Sequence, residues 1–388
     1  MWYDTTELAV ISASGGTPRP LTRELDRNTF TPRFSPDGRL VYFILEDHGR
    51  QLLATVPAKG GNMDQNVSGE NVVYDYDVAS DGSIAFLAAR PGSPGELFTL
   101  VKGKSQQVTT VNAKALEPIQ LGAVDRVHFK SKDGTEIEGF VTRPPQFDPS
   151  KKYPMLLWIH GGPTAQYMED FHFQPQLFAA NGYVVLRVNP RGSTGYGEDF
   201  CKAIWADWGN KDYDDVMAGV DYVISQGYVD ENRLGVGGWS YGGILTDVVI
   251  TKTNRFKAAS PGASMLNHFL GYGIDHYQFE WEKEVGLPWE KPDAYLKLSP
   301  YFQMKNVTTP CLVVCGASDQ NVPLVNSEQL YQTLRRLGVE TMLIVYPEEP
   351  HGISRPSFQK DLYERYLAWF GHYLQGAPTN IPEKKPRD

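Results

Sequence analysis

Gly238-Trp239-Ser240-Tyr241-Gly242 closes an apolar run that begins at Leu234 and opens, through Gly243, into a helix-like stretch. A serine between glycines on a strand-to-helix turn suits a nucleophile. Such a turn forces the serine backbone into a strained conformation, and the glycines remove the Cβ atoms that would collide with it. The hydroxyl then stands beside a helix N-terminus, whose free N–H groups favour developing negative charge. It attacks only when a base takes its proton, and the base needs a carboxylate to set its tautomer and balance its charge.

Both partners follow downstream. The apolar segment Cys311 to Cys315 ends in Gly316-Ala317-Ser318-Asp319, which puts a carboxylate in the loop after a strand. The next strand-like segment ends at Tyr346-Pro347 and runs through Glu348-Glu349-Pro350 to His351-Gly352, delivering an imidazole to the same sheet edge. The order Ser240, Asp319, His351 suits acyl transfer on a parallel sheet. Glu348 and Glu349 follow the wrong strand to serve as the acid and read as solvated. The oxyanion of a tetrahedral intermediate needs N–H donors. The backbone of Tyr241 offers one, and Gly162 in His160-Gly161-Gly162-Pro163, directly after the apolar run Met155 to Ile159, offers the other. This set calls for no metal and no cofactor.

These residues need a scaffold that gathers strand ends. From about Asp125 strands alternate with helical stretches, the pattern of a mainly parallel sheet covered on both faces. Val127 to Lys130 and Ile137 to Val141 flank the turn Lys132-Asp133-Gly134 and predict an opening hairpin. Further strands are expected at 154–159, 182–188, 234–237, 310–315 and 341–346, with helices at 213–226, 327–337 and 360–374. Cys311 and Cys315 sit four apart on one strand, roughly 13 Å and too far to bridge. They read as reduced core residues, and Cys201 is left unassigned.

The first 120 or so residues read instead as short strands with an internal repeat. Ser35-Pro36-Asp37-Gly38 and the strand after it recur as Ala79-Ser80-Asp81-Gly82 and its strand, 82 − 38 = 44 residues later. Leu8 to Gly16 resembles Leu52 to Gly61 at a similar offset. That spacing suits a four-stranded propeller blade, so the expectation is about two and a half blades, with residues 1 to 27 supplying the last strands of the first. The expected division is a partial β-propeller over 1–122, an α/β domain with a mainly parallel sheet over 123–375 and a flexible tail over 376–388. Open strand edges predict a homo-oligomer or a piece of a longer protein.

A net charge of −9 without a block of Lys or Arg argues against a nucleic-acid partner. No run approaches the roughly 18 apolar residues needed to span a bilayer. Met1-Trp2-Tyr3-Asp4 lacks a basic region followed by an apolar one, so a cytoplasmic location is expected.

His160-Gly161-Gly162-Pro163, the segment Asn189-Pro190-Arg191-Gly192-Ser193-Thr194-Gly195-Tyr196-Gly197, the Ser240 pentapeptide with Gly243, Asp319 with Val322-Pro323, and His351-Gly352 together resemble the prolyl oligopeptidase family of serine peptidases. The resemblance covers about residues 125 to 375. It implies a propeller joined to an α/β-hydrolase domain, and a triad of Ser240, Asp319 and His351 with Gly162 and Tyr241 forming the oxyanion hole. The implied substrates are short peptides or acyl-peptides, with esters as the alternative. His160 stands where the oligopeptidase and dipeptidyl-peptidase branches carry a tyrosine, which makes the chain similar to the acylaminoacyl-peptidase branch. Asn321 stands where acylaminoacyl peptidases carry an arginine, as in dipeptidyl peptidases. The segment from Gly262 through Met265 and Tyr272 to Trp281 lies where the family builds its acyl-side pocket, so Met265, Tyr272, Asn321 and Val322 are the implied substrate contacts.

Overall fold

A computed structural model of the chain describes residues 2–67 and 72–378. Most of residues 376–388, expected to form a tail, lie outside the described residues. The largest element is an eight-stranded sheet. Its strands are β1 (Val124–Lys130), β2 (Glu136–Thr142), β3 (Tyr153–Ile159), β4 (Val184–Asn189), β5 (Val229–Trp239), β6 (Phe256–Gly262), β7 (Cys311–Gly316) and β8 (Thr341–Tyr346). They lie in the order β1-β2-β4-β3-β5-β6-β7-β8. β1 and β2 form the expected hairpin, β2 runs antiparallel to β4, and every later pairing is parallel.

Parallel neighbours need crossovers, and helices supply them. They include α1 (Phe173–Ala180), α2 (Lys211–Ser225), α3 (Tyr241–Lys252), α4 (Leu324–Arg336) and α5 (Pro356–Gln375). Val216 and Val220 of α2, Ile244 of α3 and Leu330 of α4 join the apolar cluster on one face. Phe178 of α1 and Tyr366, Trp369 and Phe370 of α5 join the cluster on the other. Burial on both faces is why these strands read as unbroken apolar runs. β6 has the sequence Phe-Lys-Ala-Ala-Ser-Pro-Gly, carries no β-branched residue, and was not expected. Pairing on both sides makes it a strand. No helix among the described residues is long and apolar enough to cross a membrane.

Ahead of this sheet lie two four-stranded antiparallel sheets, over 29–65 and 72–107, and a ribbon pairing Ala9–Val10 with Arg19–Pro20. The repeated motif builds one turn twice. Gly38 N–H donates to Ser35 O at 2.8 Å and Gly82 N–H to Ala79 O at 2.9 Å. Both glycines have positive φ, +70° and +82°, which is why each turn carries glycine there. The first sheet meets the large domain through polar contacts: Arg50 Nε to Glu169 Oε2 at 3.0 Å, and His48 N–H to Gly195 O at 3.0 Å.

Residues 2–4 depart from expectation. They do not complete a blade but enter the large domain. Tyr3, 1% exposed, belongs to the same apolar cluster as β3 and α3. Its hydroxyl donates to Glu284 Oε1 at 2.9 Å and accepts from Trp208 Nε1 at 2.8 Å. Tyr3→Ala is expected to cost about 3 kcal/mol or more through the cavity it leaves. Tyr3→Phe removes the hydroxyl alone and costs about 1 kcal/mol, because Trp208 Nε1 also reaches Glu284 Oε1 at 3.0 Å. Thermal unfolding midpoints of the two variants check this ranking.

Candidate active site

β5 ends at Trp239, and the chain turns sharply into α3. Ser240 has φ 61° and ψ −125°, a conformation that L residues rarely adopt. Glycines allow it. A Cβ on Gly242 would lie 2.2 Å from Ile159 O, one on Gly238 would lie 2.5 Å from Gly242 O, and one on Gly243 would lie 2.4 Å from Gly262 O. The ends of β3, β5 and β6 therefore meet backbone to backbone around a half-buried serine. Tyr241, buried beneath the turn, donates its hydroxyl to Asp212 of α2 and meets Trp208 edge-on at 5.1 Å. Burial raises the Asp212 carboxyl to about 6.

The loops after β7 and β8 bring the acid and the imidazole together. His351 Nδ1 lies 2.7 Å from Asp319 Oδ2, while Asp319 Oδ1 accepts the backbone N–H groups of Asn321 (2.8 Å) and Val322 (2.9 Å). The Asp319 side chain is fully buried and that of His351 is 24% exposed. Burial shields the carboxylate from bulk solvent, and the imidazole keeps an exposed edge. With Nδ1–H donating to the carboxylate, Nε2 is the ring's acceptor. Trp239 Nε1 donates to His351 O at 2.7 Å, so the residue before Ser240 grips the histidine loop. Ser318 N–H donates to Glu349 O at 2.9 Å and ties the acid loop to it. Glu349 corrects the sequence reading. It is buried, 1% exposed, and its carboxylate accepts the Ser354 N–H, which holds it below the usual carboxyl range.

After β3 the backbone passes Ser240 through two glycines. A Cβ on Gly161 would lie 3.1 Å from Trp239 O, and Gly162 has φ +124°. The loop is fixed by His160. Its Nδ1–H donates to Gly161 O at 2.7 Å, and its Nε2 lies 2.9 Å from Ser193 Oγ, whose hydroxyl donates to Pro190 O at 2.6 Å. Burial pushes this imidazole down to about 4, so it is neutral at physiological pH. Ser193 belongs to the Asn189 to Gly197 segment, whose Arg191 grips buried Asp215 through Nε (2.9 Å) and Nη2 (2.7 Å).

Ser240, Gly162, Tyr241, Met265, Asn321 and Val322 line one cleft of about 230 Å³. Tyr272 does not join them. Its hydroxyl donates to Glu282 at 2.9 Å, and its ring packs against Trp289 and Tyr295. Tyr277 and Trp281, from the segment expected to line the acyl-side pocket, complete an aromatic wall together with Trp2 and Trp208, which sequence reasoning missed. The aromatic run near Trp281 was a usable signal, whereas Trp2 and Trp208 are remote in sequence and carry none. Asn321 Nδ2 donates to the Tyr277 hydroxyl, which commits the side chain at this branch-marking position. Among the described residues no group of three His, Cys, Asp or Glu is arranged to hold a metal ion.

Known proteins resemble this chain in sequence and fold. The model of the prolyl oligopeptidase family matches residues 169–377. The chain belongs to the prolyl oligopeptidase family. It is 35% identical over 299 residues to the uncharacterized peptidase YuxL of Bacillus subtilis, covering 74% of this chain and 45% of that one. It is 26% identical over 384 residues to dipeptidyl-peptidase 5 of Porphyromonas gingivalis, covering 96% and 56%. It superposes on the acylaminoacyl peptidase of Pyrococcus horikoshii with a TM-score of 0.89 at 26% identity, covering 98% of this chain and 61% of that one. The chain thus spans about half the length of the curated relatives it matches. The solved relative carries the same architecture, an α/β-hydrolase domain preceded by propeller structure.

Two outcomes follow from this geometry. Gly242→Ala forces a side chain against Ile159 O and is expected to cost about 1–3 kcal/mol, whereas a Cβ at Gly352 meets nothing within 4 Å. Thermal midpoints of Gly242→Ala and Gly352→Ala test the contrast. The second outcome concerns pH. An unfolded imidazole binds a proton near 6.5, but folded His160 resists until about 4. The unfolded state therefore binds more protons in that window, and stability falls as pH drops through it. His160 contributes a loss of about 2 kcal/mol by pH 5. His268, pushed down to about 3 by burial, adds to it. His160→Gln should show a smaller drop in unfolding midpoint between pH 7 and pH 5 than the wild type.

Proposed function

We propose that this chain is a serine peptidase acting on short or N-acylated peptides through an acyl-enzyme. His351 Nε2 takes the proton from Ser240 Oγ as the oxygen attacks the scissile carbonyl, and the imidazolium is balanced by Asp319. The N–H groups of Gly162 and Tyr241 hold the oxyanion. His351 then protonates the leaving amine, activates water, and returns the proton to Ser240 as the acyl group is hydrolysed.

The observation that carries this reading is the hydrogen bond between His351 and a fully buried Asp319, in a loop gripped by the residue before Ser240. Relatives named dipeptidyl-peptidase and acylaminoacyl peptidase support the choice of peptides. The same groups would act on esters. The division at about residue 122 and pairing with a second copy through the exposed edge strand Thr29–Phe34 belong to the same proposal. So does a cytoplasmic location, supported by three free, buried cysteines.

Ser240→Ala is expected to abolish hydrolysis of both an aminoacyl p-nitroanilide and a p-nitrophenyl ester. Asp319→Asn should lower kcat by a factor on the order of 10⁴. Ester turnover with no measurable anilide turnover would overturn the peptidase assignment, and unchanged hydrolysis by Ser240→Ala would overturn the serine mechanism.

A further inference from the structure

Trp2 stands between two cavities. On one side it lines the cleft that holds Ser240. On the other it lines a second cavity of about 240 Å³, together with Tyr3, Trp205, Phe279 and Glu284. Its indole meets Tyr277 edge-on at 5.1 Å and Trp281 at 6.2 Å, and both of those rings line the Ser240 cleft. The next residue, Tyr3, is buried and hydrogen-bonded at both its donor and its acceptor side. The backbone that carries the indole is therefore anchored to the large domain.

The second cavity is suited to apolar matter. Glu284 Oε1 is already taken by Tyr3 Oη, Trp208 Nε1 and the Ala206 N–H. The Lys283 ammonium lies 4.1 Å over the Phe279 ring and is engaged there. Phe279 is nonetheless 63% exposed, and Trp2, Trp205 and Phe279 present aromatic carbon to whatever enters. Glu280 in the same wall disfavours a ligand that ends in a carboxylate.

Resting on the serine-hydrolase reading above, we propose that Trp2 is the specificity-determining wall of the acyl-side cleft. Its indole limits that cleft to short, compact acyl groups and shuts the apolar cavity behind it off from Ser240. Without the indole the two cavities join, and an extended neutral acyl chain gains a path from Ser240 to Trp205 and Phe279. A purely structural role for Trp2 would change stability, or all substrates alike. A wall changes the ratio between long and short substrates.

The test compares kcat/KM for p-nitrophenyl butyrate and octanoate in the wild type, Trp2→Ala and Trp2→Phe. Trp2→Ala should raise the octanoate-to-butyrate ratio by about tenfold or more, with Trp2→Phe in between. A companion measurement needs no turnover: calorimetric binding of N-acetyl- and N-octanoyl-alanine amide to Ser240→Ala with and without Trp2→Ala. Affinity for the octanoyl compound should rise about tenfold relative to that for the acetyl compound. If the binding shift appears but the wild type hydrolyses nothing, the wall stands and the hydrolase reading falls. If the wild type hydrolyses both esters and neither ratio moves in either variant, the wall is wrong and the hydrolase reading stands. An absence of both hydrolysis and any binding shift overturns both.

Discussion

The ends of β3 and β5 approach so closely at Ser240 that no side chain fits between them, and the rest of the site is arranged around that contact. Glycine at 238 and 242 lets β5 turn into α3 against the carbonyl of Ile159. The same approach carries the next residues of the β3 loop, Gly161 and Gly162, past the serine. Two backbone segments thereby line one cleft with the hydroxyl between them. Farther along the parallel sheet, β7 and β8 end at the same edge. Their loops are joined to each other by the Ser318 to Glu349 bond and to the serine turn by the Trp239 indole.

A second layer of polar contacts holds this geometry in register. The segment after β4 reaches five partners. Arg191 binds Asp215 of α2 and Asp133 of the β1–β2 turn, and Ser193 Oγ lies 2.9 Å from His160 Nε2. Gly195 O accepts from His48 of the first four-stranded sheet, and Tyr196 donates to Glu138 of β2 at 2.9 Å. Asp215 is fully buried. Removing its arginine would leave an uncompensated buried charge, a loss of about 3–5 kcal/mol. Through Ser193 the same segment also touches the loop that carries Gly162, so it ties the first four-stranded sheet, the hairpin and that loop together.

What the sequence disclosed follows from how local each cause is. Ser240, Asp319 and His351 were legible because each sits just past an apolar run, and parallel strands carry their functional loops at one edge. The Asp-Gly turns of the blades were legible because four consecutive residues determine them. β6 was hidden because alanine, serine and proline make a strand only between two neighbours. Glu349 was misread because its burial depends on the Ser354 N–H, which the β8 loop supplies only once folded. Tyr272 shared its composition with true cleft residues but turns to Glu282 instead. Trp2 was invisible as a cleft residue, since only the tertiary structure carries the first described residues across the blades and into the large domain.

One covalent-labelling experiment decides whether Ser240 is the nucleophile that this geometry is built to serve. The protein is treated with a fluorophosphonate and digested, and the adduct is located by mass spectrometry. The expected result is a single adduct on Ser240 that is lost in His351→Ala. An adduct on another residue, no adduct at all, or undiminished labelling of Ser240 in His351→Ala would contradict it.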